Sequence, residues 1–269
     1  MSWNLDLQSV SIWTTGGRLK AVRFACASWQ LELLRAHRQG ESDLLVRDGK
    51  WFLAATCGVP EGVMNGSPVG FLGVDLGIVN IATTSDGERY AGAHLNRVRH
   101  RNRRLRGKLQ KLGTKSAKRL LGKRSRRETR FAKDVNHIVS KRIVAEAERS
   151  GRGIALEDLK GIRGRVKARR PQRATLHSWA FAQLGSYTAY KANKLAGVPV
   201  IHVDPRHTSQ QCSACGNIDK HSHTNQSTFR CTRCGFTEHA DTNAARNIAR
   251  RGEAGWAAVK RPNADATTA

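Results

Sequence analysis

Short stretches rich in apolar and β-branched residues run over Gln8 to Trp13 and Leu19 to Cys26, on either side of the pair Gly16 and Gly17, and again over Lys50 to Cys57. Stretches of this length and composition, punctuated by glycine, predict short strands. Pro60 to Pro68 is rich in glycine and proline and marks a boundary. Beyond it, the apolar run FLGVDLG at Phe71 to Gly77, the Val/Ile/Thr-rich stretch IVNIATTS and the segment Arg89 to Ala91 after a turn at Gly87 predict three antiparallel strands. Helical spacing follows. Arg97 to Arg130 carries Leu105, Leu109, Leu112, Leu120 and Leu121 as thin anchors of a long helix or helix pair, broken near Gly113 or Gly122. Phe131 to Arg149 places Val135, Ile138, Val139, Ile143 and Val144 at helical spacing and predicts an amphipathic helix packed on the sheet. Gly151 and Gly153 end it, and Ile154 to Leu159 (IALEDL) predicts a short buried strand. A basic loop over Gly161 to Arg173, a helix over Leu176 to Ala196 through Trp179, Leu184, Tyr187 and Leu195, and a second buried strand over Val198 to Asp204 follow. Asp241 to Arg251 predicts a last helix, with residues 253–269 as a disordered tail. The order of strands and helices is that of an α/β chain with a mixed sheet.

Composition adds a partner to this outline. With 269 residues, 39% of them hydrophobic and 25% charged, most of the chain is expected to fold. The 47 Lys and Arg against 21 Asp and Glu give a formal charge of +26, for which a polyanion is the economical explanation. The excess is concentrated: Arg97 to Arg130 holds sixteen basic residues and one acid, Glu128. Arg101, Arg103, Arg104, Arg106, Lys108 and Lys111 are therefore candidate contacts to nucleic-acid backbones, and Arg163, Arg165, Lys167 and Arg169 form a second basic patch. The longest apolar stretches, such as Val198 to Val203, are far short of the roughly 20 residues that cross a bilayer. The start MSWNLDLQSV has no basic region followed by an apolar block, so a cytoplasmic protein without membrane contact is expected. Aromatic residues are only 6%, too few for an extended base-stacking surface.

Cys212, Cys215, Cys231 and Cys234 form two C-x2-C pairs, each followed directly by a glycine, Gly216 or Gly235. Two such knuckles at this separation predict one structural zinc in a closed tetrahedral shell of four thiolates. Disulfides or reduced, unliganded cysteines are the alternatives. The flanking His207, His221, His223 and His239 are expected to be surface polar groups, and Cys26 and Cys57, on apolar strands, small core residues.

Asp75, Glu157 and Asp241 each end or begin an element. Singly, each has a simpler role: Asp75 could open a turn, Glu157 and Asp158 could be solvated at a strand end, and Asp241 could cap a helix. Together they supply hard oxygen ligands at the ends of neighbouring strands and at a helix start, a cup suited to Mg2+ and to two-metal phosphodiester hydrolysis. Neither a Ser-His-Asp or Cys-His nucleophile set nor a G-x4-G-K-[ST] phosphate loop is present, so no ATPase activity or nucleotide cofactor is expected.

The segments FLGVDLGIVNIATTSDG, GIALEDLKGIR, HTSQQCSACG and CTRCGFTEHADTNAARNI, taken in that order, resemble the split nuclease motifs and zinc ribbon of the TnpB family. These are the OrfB-type, RNA-guided nucleases of insertion sequences, related to the compact type V CRISPR effectors. The resemblance runs from about Trp51 to Arg251. It implies an RNase H-like, RuvC-type fold with long basic helices, a zinc ribbon inserted before the last helix, and a small N-terminal β segment. Position by position, Asp75 matches the first acid, Glu157 the second and Asp241 the third, implying two catalytic Mg2+ and one zinc, with guide RNA and target DNA as partners. The implied layout is a wedge-like β segment over 1–68, a RuvC-like nuclease domain over 69–205 and 237–252 that includes basic helices at 95–150, and a ribbon over 206–236. Only about seventy residues precede Asp75, so a recognition lobe is expected to be missing. An RNA-guided, Mg2+-dependent DNA endonuclease is the implied function. The alternatives are a nucleic-acid-binding regulator or inactive remnant, and a nuclease that cuts branched DNA without a guide.

Overall fold

The N-terminal segment forms the three expected strands, at Ser9–Thr14, Gly17–Arg23 and Lys50–Cys57, and two that were not expected, at Ser2–Asn4 and Arg38–Arg47. β1 (Ser2–Asn4), β2 (Ser9–Thr14) and β3 (Gly17–Arg23) form an antiparallel sheet in that order, and β5 (Lys50–Cys57) pairs antiparallel with β4 (Arg38–Arg47). Between them lies α1 (Ser28–His37), which the pattern did not foretell. It has no buried residue. Cys26 and Cys57 are half-buried rather than enclosed in a core. The structure is a computed structural model that describes residues 1–47, 49–159, 181–225 and 227–260. It divides into two units, Met1–Glu61 and Gly62–Ala269.

The second unit is built on a five-stranded sheet. β6 (Phe71–Asp75), β7 (Asn80–Thr84) and β8 (Arg89–Ala91) form the expected antiparallel meander, and β9 (Gly153–Glu157) and β10 (Val200–Val203) add in parallel, giving the order β10-β9-β6-β7-β8. Both faces are covered. Leu72, Val74, Ile154 and Leu156 point to one side, into a core with Val139, Ile143, Val144 and Ala147 of α3 (Lys115–Arg149) and Leu184 of α4 (Phe181–Tyr190). Phe71 and Ala155 point to the other side, against Ile248 and Trp256 of α5 (Ala240–Lys260). Residues 160–180, including Trp179 and the whole of the expected basic loop, lie outside the described residues.

The basic region is two helices, α2 (Ala93–Leu112) and α3, joined at Gly113. Gly113 has a left-handed φ of 65°, and the Thr114 side chain caps α3 by accepting from Ala117 N at 3.2 Å. Gly122 does not break the helix. The same α3 runs on through the expected second helix to Arg149, but Ile138 is 55% exposed while Asn136 and Ser140 are buried. Asn136 Nδ2 donates to Gln183 Oε1 at 3.0 Å, and the Ser140 hydroxyl accepts from Lys191 Nζ at 2.7 Å. After α4 the chain makes a π-helical turn, Lys191–Ala196, that ends at Gly197 with φ 62°.

At the C-terminal end the helix is longer than expected. α5 reaches Lys260, so residues 253–260 are helix rather than disordered tail. Trp256 stacks tilted on Phe71 at 5.9 Å, and a Cβ on Gly252 or Gly255 would press on Ala155 or Ile201, so these residues extend the packing on the sheet. No helix among the described residues is long and apolar enough to cross a membrane.

Candidate functional site

Pleating and register bring two of the expected acids together. β6 and β9 are parallel with Val74 beside Leu156, which places Asp75 and Glu157 next to each other at the strand ends. Both continue the set Phe71, Gly73 and Gly153, Ala155, so both point to the face covered by α5. Asp241 lies in the first turn of that helix. It is not the residue before the helix, and its Oδ2 accepts from Asn80 Nδ2 of β7 at 2.8 Å, across the mouth of the sheet. A close approach makes this possible: a Cβ on Gly73 would run into the Ala245 carbonyl and the Ala249 amide of α5.

The electrostatics of the cup follow from this crowding. Burial first, then the charges of Glu157 and Asp241, hold the Asp75 carboxyl well above its ordinary range, against the pull of the Leu76 N–H. Burial likewise raises Glu157, with Asp204 adding to it, while the Thr208 hydroxyl at 2.6 Å and the Arg251 charge draw it back. Three carboxylates on one side of a sheet end thus repel one another. Oxygen donors so arranged suit a hard divalent cation, whose charge would relieve that repulsion. Asp158, beside Glu157, instead donates its backbone N–H to the Val203 carbonyl at 2.8 Å.

Several residues that hold this site escaped the sequence pattern. Asn80 steadies Asp241 and Thr208 steadies Glu157. Arg251 donates to the Asp204 and Arg206 carbonyls at 2.6 and 2.7 Å. Asn243 and Asn247, fully buried on α5, bind the backbone of the loop ahead of the first cysteine. Their i, i+4 spacing in an alanine-rich helix was the available signal: two amides on one buried face need polar partners.

The four cysteines form a cage. Their sulfurs all lie within 4.8 Å of one another, the one such donor group among the described residues. Cys212 to Cys234 is 3.8 Å and Cys215 to Cys231 is 3.6 Å, near the ~3.8 Å that tetrahedral Zn–S bonds of about 2.3 Å require, and far from a disulfide bond of about 2.04 Å. Each knuckle closes with a glycine: Gly216 N donates to the Cys212 carbonyl and Gly235 N to the Cys231 carbonyl, with φ of 75° and 74°. The Cys234 amide, chief among several donors, pulls the Cys231 thiol down to about 6. The Phe236 amide favours the Cys234 thiolate, but hydrogen bonds with the other sulfurs and burial push that thiol up to about 12. Four sulfurs this close cannot all ionise without a cation, so the cage fits zinc. β11 (Thr228–Arg230) and β12 (Thr237–His239) form the hairpin that carries the second knuckle and leads directly into Asp241. His207 and His221 are exposed, as expected, while His223 and His239 are half-buried, His239 Nδ1 accepting from Asp241 N at 3.3 Å.

On α2, Arg101, Arg103, Arg104, Arg106, Lys108 and Lys111 are all exposed. Leu109 and Ala117 are buried in the α2–α3 region, and Arg106 reaches Glu128 at 3.1 Å. Arg163, Arg165, Lys167 and Arg169 lie outside the described residues.

The chain is similar to several known proteins. A family model described as Cas12f1-like, TNB domain, matches residues 181–248, which hold α4, β10 and the cysteine cage. The CRISPR-associated endodeoxyribonuclease Cas12f1 of Sulfoacidibacillus thermotolerans is 43% identical over 44% of this chain and 27% of its own length. A TnpB-like protein of Methanocaldococcus jannaschii is 33% identical over 59% of this chain and 58% of its own. The chain therefore spans between about a quarter and three fifths of these relatives. Among solved structures, a Cas12f1-sgRNA-target DNA complex superposes with a TM-score of 0.53 at 22% identity, over 78% of this chain and 55% of that one, and supports the fold.

Proposed function

We propose, from the premise that this chain is a TnpB-like relative of the compact Cas12f effectors, that it is an RNA-guided, Mg2+-dependent DNA endonuclease of insertion-sequence origin. The observation that carries this reading is the side-by-side placement of Asp75 and Glu157 on the face where Asp241 opens α5. We read the five-stranded sheet with helices on both faces as RNase H-like, of the RuvC type, over 69–205 and 237–252, with a zinc ribbon at 206–236 and a wedge-like segment at 1–68.

Asp75, Glu157 and Asp241 would hold two Mg2+, which supply an activated water and charge for the leaving 3'-oxygen. The chain's own groups do the rest. Asn80 holds the Asp241 carboxylate, and Asp75 stands beside two like charges whose repulsion a divalent cation would relieve. The cysteine cage would take one structural zinc, leaving no open position for catalysis. The exposed cations of α2 would line a path for phosphate backbones of guide RNA and target DNA. Sequence would be read by base pairing, as the protein offers charge and shape rather than aromatic platforms.

The test is to express the protein from its native flanking DNA and sequence the RNA that copurifies. A discrete species with a variable end, whose complement is then cut in Mg2+, is the expected result. Heterogeneous RNA, with no cleavage directed by any of it, would reject guided cleavage.

A further inference from the structure

The loop between β10 and the first cysteine knuckle lies against the acid cup. Thr208 is 5% exposed, and its hydroxyl donates to Glu157 Oε1 at 2.6 Å, with the Pro205 carbonyl at 3.0 Å as a second acceptor. A hydroxyl has one proton, and the shorter contact to the carboxylate is the stronger, charge-assisted bond. The loop that presents this hydroxyl is fixed along its length. Asn247 Nδ2 donates to the Thr208 carbonyl at 2.9 Å and to the Gln211 carbonyl at 2.6 Å. Asn243 donates to the Gln211 carbonyl at 2.8 Å and accepts from Ser213 N at 2.9 Å, straddling the zinc-cage residue Cys212. Arg251 clamps Asp204, Arg206 and the Gln211 side chain. His207, directly before Thr208, has a left-handed φ of 62°, a conformation that costs a non-glycine residue about 1 kcal/mol. So many anchors on one short segment exceed what a surface connection requires.

We infer that Thr208 is a positioning residue for the metal site. Its hydroxyl fixes one oxygen of Glu157 and leaves the other to face a cation shared with Asp75, while α5 and the first cysteine knuckle hold the hydroxyl in place. This rests on the reading of Asp75, Glu157 and Asp241 as metal ligands. Hydrogen-bonding partners behind a ligand fix its orientation, and losing one weakens metal binding by about 10- to 100-fold.

The test uses the full, zinc-loaded chain titrated with Mn2+, an oxygen-site surrogate for Mg2+, followed by the electron paramagnetic resonance signal of the free ion. Thr208→Val keeps the shape and removes the donor. It is expected to retain zinc content and melting temperature and to weaken Mn2+ binding by about tenfold or more. Thr208→Ser restores the hydroxyl and is expected to bind Mn2+ as the parent does, and Asp75→Asn to lose that binding. Should valine disturb the fold, Thr208→Ala carries the same expectation. Wild-type Mn2+ affinity in the valine or alanine variant, with binding lost in Asp75→Asn, would overturn the role of Thr208 and leave the metal site standing. Equal Mn2+ binding by the parent and Asp75→Asn would instead overturn the metal-ligand reading beneath it.

Discussion

At the scale of single residues, the folded chain works against its own carboxylates. Asp75 is buried beside Glu157 and Asp241, so its proton affinity is raised above the ordinary 3.8. A carboxyl whose folded pKa is raised favours the protonated folded state. Its contribution to stability is complete below the unfolded value and is lost as pH rises through the folded one. In metal-free protein at neutral pH, Asp75→Asn is therefore expected to raise stability by roughly 1 kcal/mol, about 2 to 4 °C in Tm. The difference should vanish only as the pH falls below the unfolded value of 3.8, where Asp75 is protonated in both states, and a thermal melt series across pH checks this. An unchanged difference at every pH would deny the buried repulsion. The three acids were legible in the sequence because each closes or opens an apolar element in a fixed order. Thr208, Asn80, Asn243 and Asn247 were not, because their partners are 30 to 161 residues away, as in Ser213 N to Asn243 and Asn80 to Asp241, and a single amide or hydroxyl leaves no periodic mark.

At the scale of elements, the site depends on how closely α5 lies on β6. Gly73→Ala would place a methyl against the Ala245 carbonyl and Ala249 amide, and should lower stability by about 1 to 3 kcal/mol while displacing Asp241. Denaturant unfolding measures the first effect and Mn2+ affinity the second. In the basic hairpin the two glycines have opposite signs. Gly122 is helical, exposed and free of neighbours, so Gly122→Ala is expected to stabilise by about 0.4 to 1 kcal/mol; Gly113, at φ 65°, should lose about 1 kcal/mol on the same change. Chemical denaturation of the two variants separates them. The sequence left both as candidate breaks because glycine content alone does not reveal which backbone turns left-handed. Helical spacing found α3 but put Ile138 on its buried face, where Asn136 and Ser140 stand instead. The buried stripe there is carried partly by polar residues that find partners on Gln183 and Lys191. The strands of the sheet were the most legible elements, since their apolar runs are buried on both faces.

At the scale of the whole molecule, the basic charge and the cysteine cage dominate. A formal +26 with an exposed basic hairpin should give nucleic-acid binding a steep salt dependence, a log-log slope of about 0.9 per phosphate contact on duplex DNA. Replacing Arg101, Arg103 and Arg104 with glutamine should lower that slope by about 3, read from filter binding across a salt series. Cys212→Ser is expected to release the metal and lower the melting temperature, because the cage ties the ribbon to the start of α5. Metal analysis showing one zinc per parent chain and none in the variant checks it. The ribbon was the most specific signal in the sequence, four residues at fixed spacing, whereas its attachment to the acid cup through Asn243 and Asn247 emerges only in the fold. The most direct test of metal-dependent cleavage by the acid triad is a comparison of the RNA-loaded parent with Asp75→Ala on a matched DNA target in Mg2+. The parent should cut, and the variant should bind the target equally while cutting at least about a thousandfold more slowly, roughly 4 kcal/mol of barrier. Cleavage by Asp75→Ala at the parent rate would contradict the assignment.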